Sequence, residues 1–249
     1  MTNDVIVEKS DGVMRIVMNR PDKKNALTGP MYDAMTAALK DADSSDAIRA
    51  IVLEGAGGAF TAGNDLADFL AAATRGEPTR AFPFIEQIAL SETPIVAAVD
   101  GVAVGVGTTL IFHCDLVYAT PGARFRMPFV DLGLVPEAGS SLLAPRLLGM
   151  AKASEYILLA QGFDGHAAKE AGLVNAVVNP QDLSRVAMEA ARALAAKPVA
   201  ALKASRALLR GDRVDVKAAM ARETAAFAAA LKSPDARKAF EAFLSKAKG

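Results

Sequence analysis

The stretch from Pro94 to Ser141 reads PIVAAVDGVAVGVGTTLIFHCDLVYATPGARFRMPFVDLGLVPEAGSS. Its apolar run Ile95–Val99 is short and bounded by proline and glycine, which predicts a buried strand. The glycine-rich segment Gly101–Gly107 leads into Thr108–Phe112, which has helical character, and then into a second strand-like run, Leu116–Ala119. A strand, a glycine turn and a helix start leave free backbone N–H groups at the helix N-terminus, where a negative charge is stabilised.

Near the end of this stretch, one carboxylate stands in an otherwise uncharged run. Glu137 lies within Leu132–Leu143 and follows Pro136. A glutamate directly after a proline is favourable in the first turn of a helix, because it interacts well with the helix dipole. Burial among the neighbouring leucines would instead raise its pKa toward that of a useful general base. The residues alone leave both interpretations open.

The composition excludes several classes of function. Lysine plus arginine and aspartate plus glutamate number 28 each, so no net field attracts nucleic acid or an anionic membrane. The single cysteine, Cys114, excludes an internal disulfide and a cysteine-cluster metal site. His113 and His166 lack a ligand-like spacing, so we expect no metal; His113 is expected to be a hydrogen-bonded core residue. The first residues lack a signal-peptide pattern, and no apolar run approaches about 18 residues, so we expect a cytoplasmic protein.

The order of elements predicts repeated strand–strand–helix units. Val5–Glu8 and Val13–Met18 read as a β-hairpin, and a helix with Thr28 as its N-cap follows. The same ββα pattern returns more loosely further along the chain, around residues 50–90 and 95–130. The section Ala67–Pro83 is less regular and is predicted to form a mobile loop.

After Ser140 the character becomes mainly helical, and Lys197-Pro198 is the best internal boundary. It divides the chain into a core, residues 1–197, and a helical region, residues 198–249. Two apolar faces of that region would leave too much apolar surface exposed on a monomer, so we predict a homotrimer or hexamer. The residues of the two faces are Met220, Phe227 and Leu231, and Phe240, Phe243 and Leu244.

The glycine turns do not match a dinucleotide-binding fingerprint. Gly105-Val-Gly107 and Gly55-Ala-Gly57 both lack the third glycine of Gly-x-Gly-x-x-Gly. These glycines could simply join buried strands. Alternatively, the turns at Phe60–Leu66 and Gly105–Thr109 could aim two backbone N–H groups at one oxygen and form an oxyanion hole.

Four ordered motifs together resemble the crotonase superfamily, the enoyl-CoA hydratases and isomerases. They are Phe60-Thr-Ala-Gly-Asn-Asp-Leu66, Pro94-Ile-Val-Ala-Ala-Val-Asp-Gly101, Gly105 to Asp115, and Ala168-Lys-Glu-Ala-Gly-Leu173. The resemblance spans residues 5–245. It implies an α/β fold, the crotonase (ClpP-like) spiral of repeated ββα units with a C-terminal helical oligomerisation region, assembled as trimers or dimers of trimers.

The resemblance also implies a substrate and a site. The substrate would be an acyl-CoA thioester whose carbonyl oxygen lies between the backbone N–H groups of Asn64 and Val106. Valine is tolerable at the second position because the contact is made by the backbone, provided that φ stays negative. No metal or redox cofactor is implied, since coenzyme A is part of the substrate. The residues expected to bind substrate are Lys24, Ala26, Ala62, Asp65, Leu66, Gly105, Thr109 and Phe129.

Two departures from the hydratase pattern point to a particular reaction. Hydratases of this family carry glutamates at the positions of Thr109 and Phe129, and both carboxylates are absent here. The segment Leu132–Ser141, together with Gly63–Leu66, resembles the Δ3,Δ2-enoyl-CoA isomerases, especially the peroxisomal type, in which a glutamate at the position of Glu137 does the chemistry.

One carboxylate is enough to move a double bond, because the proton taken from C2 is returned to C4. Adding water needs both a base and an acid. The sequence therefore predicts a Δ3,Δ2-enoyl-CoA isomerase. The alternatives are a hydratase or another acyl-CoA enzyme of the family, and a catalytically silent acyl-CoA-binding member.

Overall fold

A computed structural model describes residues 4–68, 79–211 and 213–246 of the chain, with side chains to residue 242. Most of the predicted loop at residues 67–83, and the side chains of Phe243 and Leu244, lie outside the described residues. In chain order the strands are β1 (Val5–Ser10), β2 (Val13–Met18), β3 (Ala50–Gly55), β4 (Ile95–Val99), β5 (Val102–Val104), β6 (Leu116–Ala119), β7 (Arg124–Arg126), β8 (Phe163–Asp164) and β9 (Ala176–Val177).

The helices separate and cover these strands. They are α1 (Gly29–Ser44), α2 (Ala81–Leu90), α3 (Val106–Thr109), α4 (Ser140–Leu158), α5 (Gly165–Glu170), α6 (Leu183–Ala195), α7 (Val199–Arg210), α8 (Val214–Leu231) and α9 (Pro234–Lys246). Helix α4 is interrupted at Gly149, whose φ of 76° and ψ of 154° are not helical. The helix therefore consists of two helical segments, one on either side of that glycine.

The larger sheet has the strand order β1-β2-β3-β4-β6-β9. Strands β1 and β2 form the predicted antiparallel hairpin, and all the later pairings are parallel. Alternate residues of β3 and β4 point to opposite faces, as a period of two requires. Ile51 and Ile95 enter the main core, whereas Val52 and Val96 pack with the alanine-rich face of α6. The sheet is therefore covered on both sides, as its mainly parallel strands require.

A smaller sheet of β5, β7 and β8 was not predicted. The sequence interpretation assigned Gly101–Gly107 to a single turn, whereas Val102–Val104 forms β5, parallel to β7. Strand β7 is buried only at Phe125. Three residues are too few to show a repeated alternation of buried and exposed positions, so hydrophobic periodicity cannot detect such a strand. An isolated bridge between Thr61 and Ala103 extends this sheet toward the segment after β3.

The C-terminal helices pack on the same chain, which corrects one premise of the assembly prediction. Phe227 of α8 and Phe240 of α9 are buried in the main core, with Met220 and Leu231 packed partly against it. The described residues of those faces are therefore packed within the chain. The large exposed apolar side chains of the described residues lie elsewhere, mainly on α4 and α7, and include Leu147, Met150, Leu158, Leu208 and Leu209.

Helix α7 is anchored to the core by ion pairs. Arg206 Nε and Arg210 Nη2 donate to Asp115 Oδ1 at 2.8 and 3.0 Å, and Arg206 Nη1 donates to the Ser91 carbonyl at 2.6 Å. Asp115 Oδ2 also accepts the N–H of Ile95 at the start of β4. This cluster joins the segments on either side of the predicted boundary at residue 197, a division that stays a prediction. No helix in the described ranges has both the length and the apolar character needed to cross a bilayer.

Candidate functional site

A cavity of about 870 Å³ opens beside the N-terminus of α3. Its polar lining includes Arg20, Lys23 and Asn64. Aromatic and aliphatic side chains from α2, the loop before α4 and the C-terminal helices also line it; these are Phe82, Ile85, Phe129, Leu132, Leu134, Phe227 and Phe240. The cavity can therefore hold a molecule with both polar and apolar parts.

Glu137 faces this cavity and is 5% exposed. Its Oε1 accepts a hydrogen bond of 2.5 Å from the Thr109 hydroxyl on α3, whereas its Oε2 is buried without a hydrogen-bond partner among the described residues. Burial raises the pKa of Glu137 from 4.5 to about 7, the Thr109 hydrogen bond acts to lower that pKa, and the charge of Glu223 raises it. A carboxyl group of this kind can accept and release a proton near neutral pH.

The backbone directly after Glu137 holds that side chain in place. Ala138 and Gly139 both have left-handed φ values, 60° and 71°. The N–H and the hydroxyl of Ser140 both donate to the carbonyl of Glu137, at 3.0 and 2.5 Å. On the other side, His113 Nε2 donates to the Ala138 carbonyl at 2.8 Å. Burial lowers the pKa of His113 to about 4, so this histidine is a neutral core residue, and the prediction for it is confirmed.

Asn64 lies in a turn that several side chains fix. Leu27 N–H donates to the Gly63 carbonyl, and Asp65 N–H donates to the Leu27 carbonyl. Thr61 Oγ1 accepts the N–H of Gly63 at 3.0 Å and donates to the Asn25 carbonyl at 2.7 Å.

The amide of Asn25 is fully buried and donates to the carbonyls of Ala56 and Ala59. This network holds the turn beside the cavity, which Asn64 itself lines.

Val106 is the first residue of α3, so its N–H has no acceptor within the helix. It follows Gly105, which has a φ of 57°, whereas Val106 itself is not among the residues with positive φ. The backbone therefore satisfies the condition under which valine was predicted to be tolerable at this position.

The two turns touch at Gly63. A Cβ atom on Gly63 would lie 2.5 Å from the Val104 carbonyl oxygen, and the φ of Gly63 is 86°. Only glycine allows this approach, which brings the turn that carries Asn64 close to the segment that precedes Val106. Asn64 and Val106 both line the cavity.

Tyr32 is a member of the site that the sequence did not reveal. It lies on the buried face of α1 and donates a hydrogen bond of 2.5 Å from its hydroxyl to Asn64 Oδ1. Burial, and next the charge of Glu137, raise the pKa of Tyr32 well above its usual range. In the sequence, Tyr32 is one of several apolar residues at helical spacing on α1, so no signal distinguished it.

The other predicted residues fall into three groups. Ala26, Ala62, Asp65, Leu66, Gly105 and Phe129 line the cavity as expected. Thr109 is not one of the described lining residues; its hydroxyl instead contacts Glu137. Lys24 does not line the cavity within the described part of the chain, whereas its neighbour Lys23 does. No group of three or more acidic, histidine or cysteine side chains in the described residues is placed to hold a metal.

The chain is similar to proteins of one family along nearly all its length. The sequence model of the family described as enoyl-CoA hydratase/isomerase matches residues 8–249. The short-chain-enoyl-CoA hydratase of Clostridium acetobutylicum is 34% identical over 99% of this chain and 96% of its own length. Enoyl-CoA delta isomerase 2 of Rattus norvegicus is also 34% identical, over 83% of this chain and 54% of its own length.

The fold is similar to solved structures as well. The crystal structure of an enoyl-CoA hydratase/isomerase from Pseudoalteromonas atlantica superimposes with a TM-score of 0.93 at 39% identity, with 98% of each chain covered. The fold that the motifs implied is therefore confirmed.

The raised pKa of Glu137 predicts how the Glu137→Gln substitution changes stability with pH. In the folded state the carboxyl group has a pKa of about 7, against 4.5 for its ordinary value. The stability that the protonated carboxyl group contributes is fully present below pH 4.5 and is lost as the pH rises through about 7. Glutamine stays neutral, so the variant should gain roughly 3 kcal/mol in free energy of unfolding at about pH 8 and almost nothing at about pH 4.

Chemical denaturation of both proteins across this pH range, at one protein concentration, measures the difference. Glu241→Gln, at an exposed position on α9, is the matched control and should show no such trend. A gain for Glu137→Gln that is equal at both pH values would contradict the assigned environment of Glu137.

Proposed function

The chain belongs to the enoyl-CoA hydratase/isomerase family of the crotonase superfamily, and on that premise we propose that it is a Δ3,Δ2-enoyl-CoA isomerase. It converts a 3-enoyl-CoA into the 2-enoyl-CoA. Glu137 is the general acid and base, and the backbone N–H groups of Asn64 and Val106 bind the thioester oxygen. The chain needs no metal or redox cofactor for this reaction.

One observation carries the proposal: Glu137 is the carboxyl group at this cavity that is suited to exchange a proton at neutral pH. Asp65 and Asp131 also line the cavity, but each is paired with an arginine at 2.7 Å, Asp65 with Arg20 and Asp131 with Arg126. The ion pair with Arg20 contributes to a lowered pKa of Asp65. Glu137 has no such cation and keeps one oxygen free of protein partners among the described residues.

The reaction follows from this arrangement in two proton transfers. The Glu137 carboxylate removes a proton from C2 of the substrate, and the electron pair spreads over the thioester carbonyl and the C3–C4 double bond. The two N–H groups stabilise the negative charge on the carbonyl oxygen of this dienolate. Glu137 then returns the proton to C4, so that the double bond has moved from C3–C4 to C2–C3. No atom is gained or lost overall.

The cavity supports an acyl-CoA as the substrate. Lys23 lines the cavity and is suited to the phosphates of coenzyme A, whereas Arg20 is paired with Asp65. The side chains of Phe82, Ile85 and Phe227 suit an apolar acyl chain. We propose that Lys24 also contacts coenzyme A, as the family resemblance implies. The Thr109 hydroxyl donates a hydrogen bond to Glu137 and so acts on the base.

A substrate panel tests the reaction against the two alternatives. We expect turnover of 3-enoyl-CoA, and hydration of 2-enoyl-CoA slower by roughly a hundredfold or more, because the hydratase carboxylates are replaced by Thr109 and Phe129. The measurement is product analysis with 3-enoyl, 2-enoyl and 3-hydroxyacyl thioesters of several lengths. Hydration as fast as isomerisation would favour a hydratase, like the Clostridium relative; binding without turnover would favour a silent member.

Glu137→Gln tests the assigned base. The variant keeps the shape of the side chain but cannot accept the C2 proton, so the rate should fall by about 10²–10⁴-fold. The loss should appear in kcat, with the dissociation constant of a saturated acyl-CoA nearly unchanged, because the backbone N–H groups and the cavity still bind the ester. Retention of more than about a tenth of the activity would mean that Glu137 is not the base.

We also propose that the chain assembles as a trimer or a dimer of trimers. The described residues of the apolar faces first invoked are packed within the chain. The support is therefore the side chains of Leu208 and Leu209 on α7, 84% and 89% exposed, together with the family resemblance. Light scattering at micromolar concentration should give a multiple of three chains, and Leu209→Lys should shift the distribution toward monomers. A monomeric wild-type protein would refute this assembly.

A further inference from the structure

A second buried carboxylate lies on the other side of the turn that carries Glu137. Glu223 of α8 is 6% exposed, and both of its oxygens are used. Oε2 accepts the N–H of Gly139 at 2.6 Å, and Oε1 accepts the N–H of Ser141 at 2.8 Å. Two accepting oxygens are the arrangement of an ionised carboxylate. Within the described ranges Glu223 forms no salt bridge, so backbone N–H groups at the start of α4 stabilise its charge.

The turn that Glu223 holds is unfavourable by itself. Ala138 has a φ of 60°, and a left-handed conformation is unfavourable for a residue with a side chain, because its Cβ comes too close to the backbone. Gly139 follows with a φ of 71°. The turn persists because it is bound from two sides: His113 donates to the Ala138 carbonyl, and Glu223 accepts from the next peptide N–H groups. Its shape decides the direction in which the preceding side chain, Glu137, points.

We propose that Glu223 is a positioning residue for Glu137: by binding the Gly139 and Ser141 amides, it holds the left-handed turn that aims the Glu137 carboxylate into the cavity. This inference rests on the proposed function, in which Glu137 is the base. It assigns a C-terminal helix a part in the reaction, because α8 supplies Glu223 as well as the cavity residue Phe227.

The charge of Glu223 has a second effect, which separates positioning from simple helix capping. Three side chains of the packed elements interact with Glu137: Tyr32 on α1, Thr109 on α3 and Glu223 on α8. His113, from the turn after α3, contacts the neighbouring Ala138 carbonyl. His113 is neutral, and Tyr32 has a raised pKa. Thr109 lowers the pKa of Glu137, and the charge of Glu223 raises it. Removal of the Glu223 charge should therefore lower the pKa of Glu137, and removal of the Thr109 hydroxyl should raise it.

Glu223→Gln is the main test, since glutamine keeps the size and one accepting oxygen but removes the charge. We expect the acid limb of the pH profile of kcat/KM to move to lower pH. We expect kcat on its plateau to fall roughly 10–100-fold, the size of effect that a misdirected catalytic group produces. The dissociation constant of a saturated acyl-CoA should stay within about twofold. Thr109→Val, which removes the other contact, should move the acid limb to higher pH.

Asp215→Asn is the matched control. It removes one charge from the same helix at an exposed position, where Asp215 contacts Arg146 at 3.3 Å. The acid limb and kcat should stay unchanged in this variant. A Glu223→Gln protein that is only less stable, with a wild-type pH profile and kcat, would show that Glu223 is a helix cap and would overturn the proposal.

Two further measurements keep the test decisive. Titration of the Glu137 carboxyl carbon by NMR needs no substrate, so it distinguishes a failure of this inference from a failure of the isomerase assignment. Should Glu223→Gln fold poorly, Glu223→Asp keeps the charge but shortens the reach to the two amides. We expect this variant to lower kcat with the acid limb moved less than in Glu223→Gln, and an unchanged kcat would overturn the positioning role.

Discussion

The burial of the Glu137 carboxylate is the constraint on which the site depends. A carboxylate in an apolar cavity is unfavourable unless its oxygens are satisfied, and here one oxygen has the Thr109 hydroxyl while the other has no partner among the described residues. Folding therefore tolerates a group that lowers stability at neutral pH. The same desolvation gives that group a proton affinity suited to acid–base chemistry.

The two N–H groups depend on a different constraint, the close approach of two turns from separate parts of the chain. The bridge between Thr61 and Ala103 aligns the turns, and Gly63 lets one backbone approach the Val104 carbonyl of the other. Buried side chains such as Asn25 then satisfy the carbonyls that the irregular backbone leaves unpaired. A donor pair made of backbone, as proposed for Asn64 and Val106, would be rigid and would need no rearrangement when negative charge develops.

The C-terminal helices complete the site as well as the core. Phe227 and Phe240 line the cavity, Glu223 binds the turn after Glu137, and Arg206 anchors α7 to Asp115. The boundary predicted at residue 197 thus marks a change of composition that several contacts cross. Among the described residues of the helical region, the exposed apolar side chains lie mainly on α7. This helix carries neither of the two faces that were identified from the sequence.

The sequence by itself determined the elements whose pattern is long and local. The strands Val13–Met18, Ile95–Val99 and Leu116–Ala119 and the helical character after Ser140 follow from apolar periods and glycine positions within short windows. The motifs also identified the family, and they singled out Glu137, Asn64 and Val106. Tertiary structure decided the smaller sheet, whose strands are too short to show a period, and the contacts of Glu137. Tyr32, Thr109 and Glu223 reach the site from three helices far apart in the chain, and a pattern read along one segment contains no information on which distant side chains meet there.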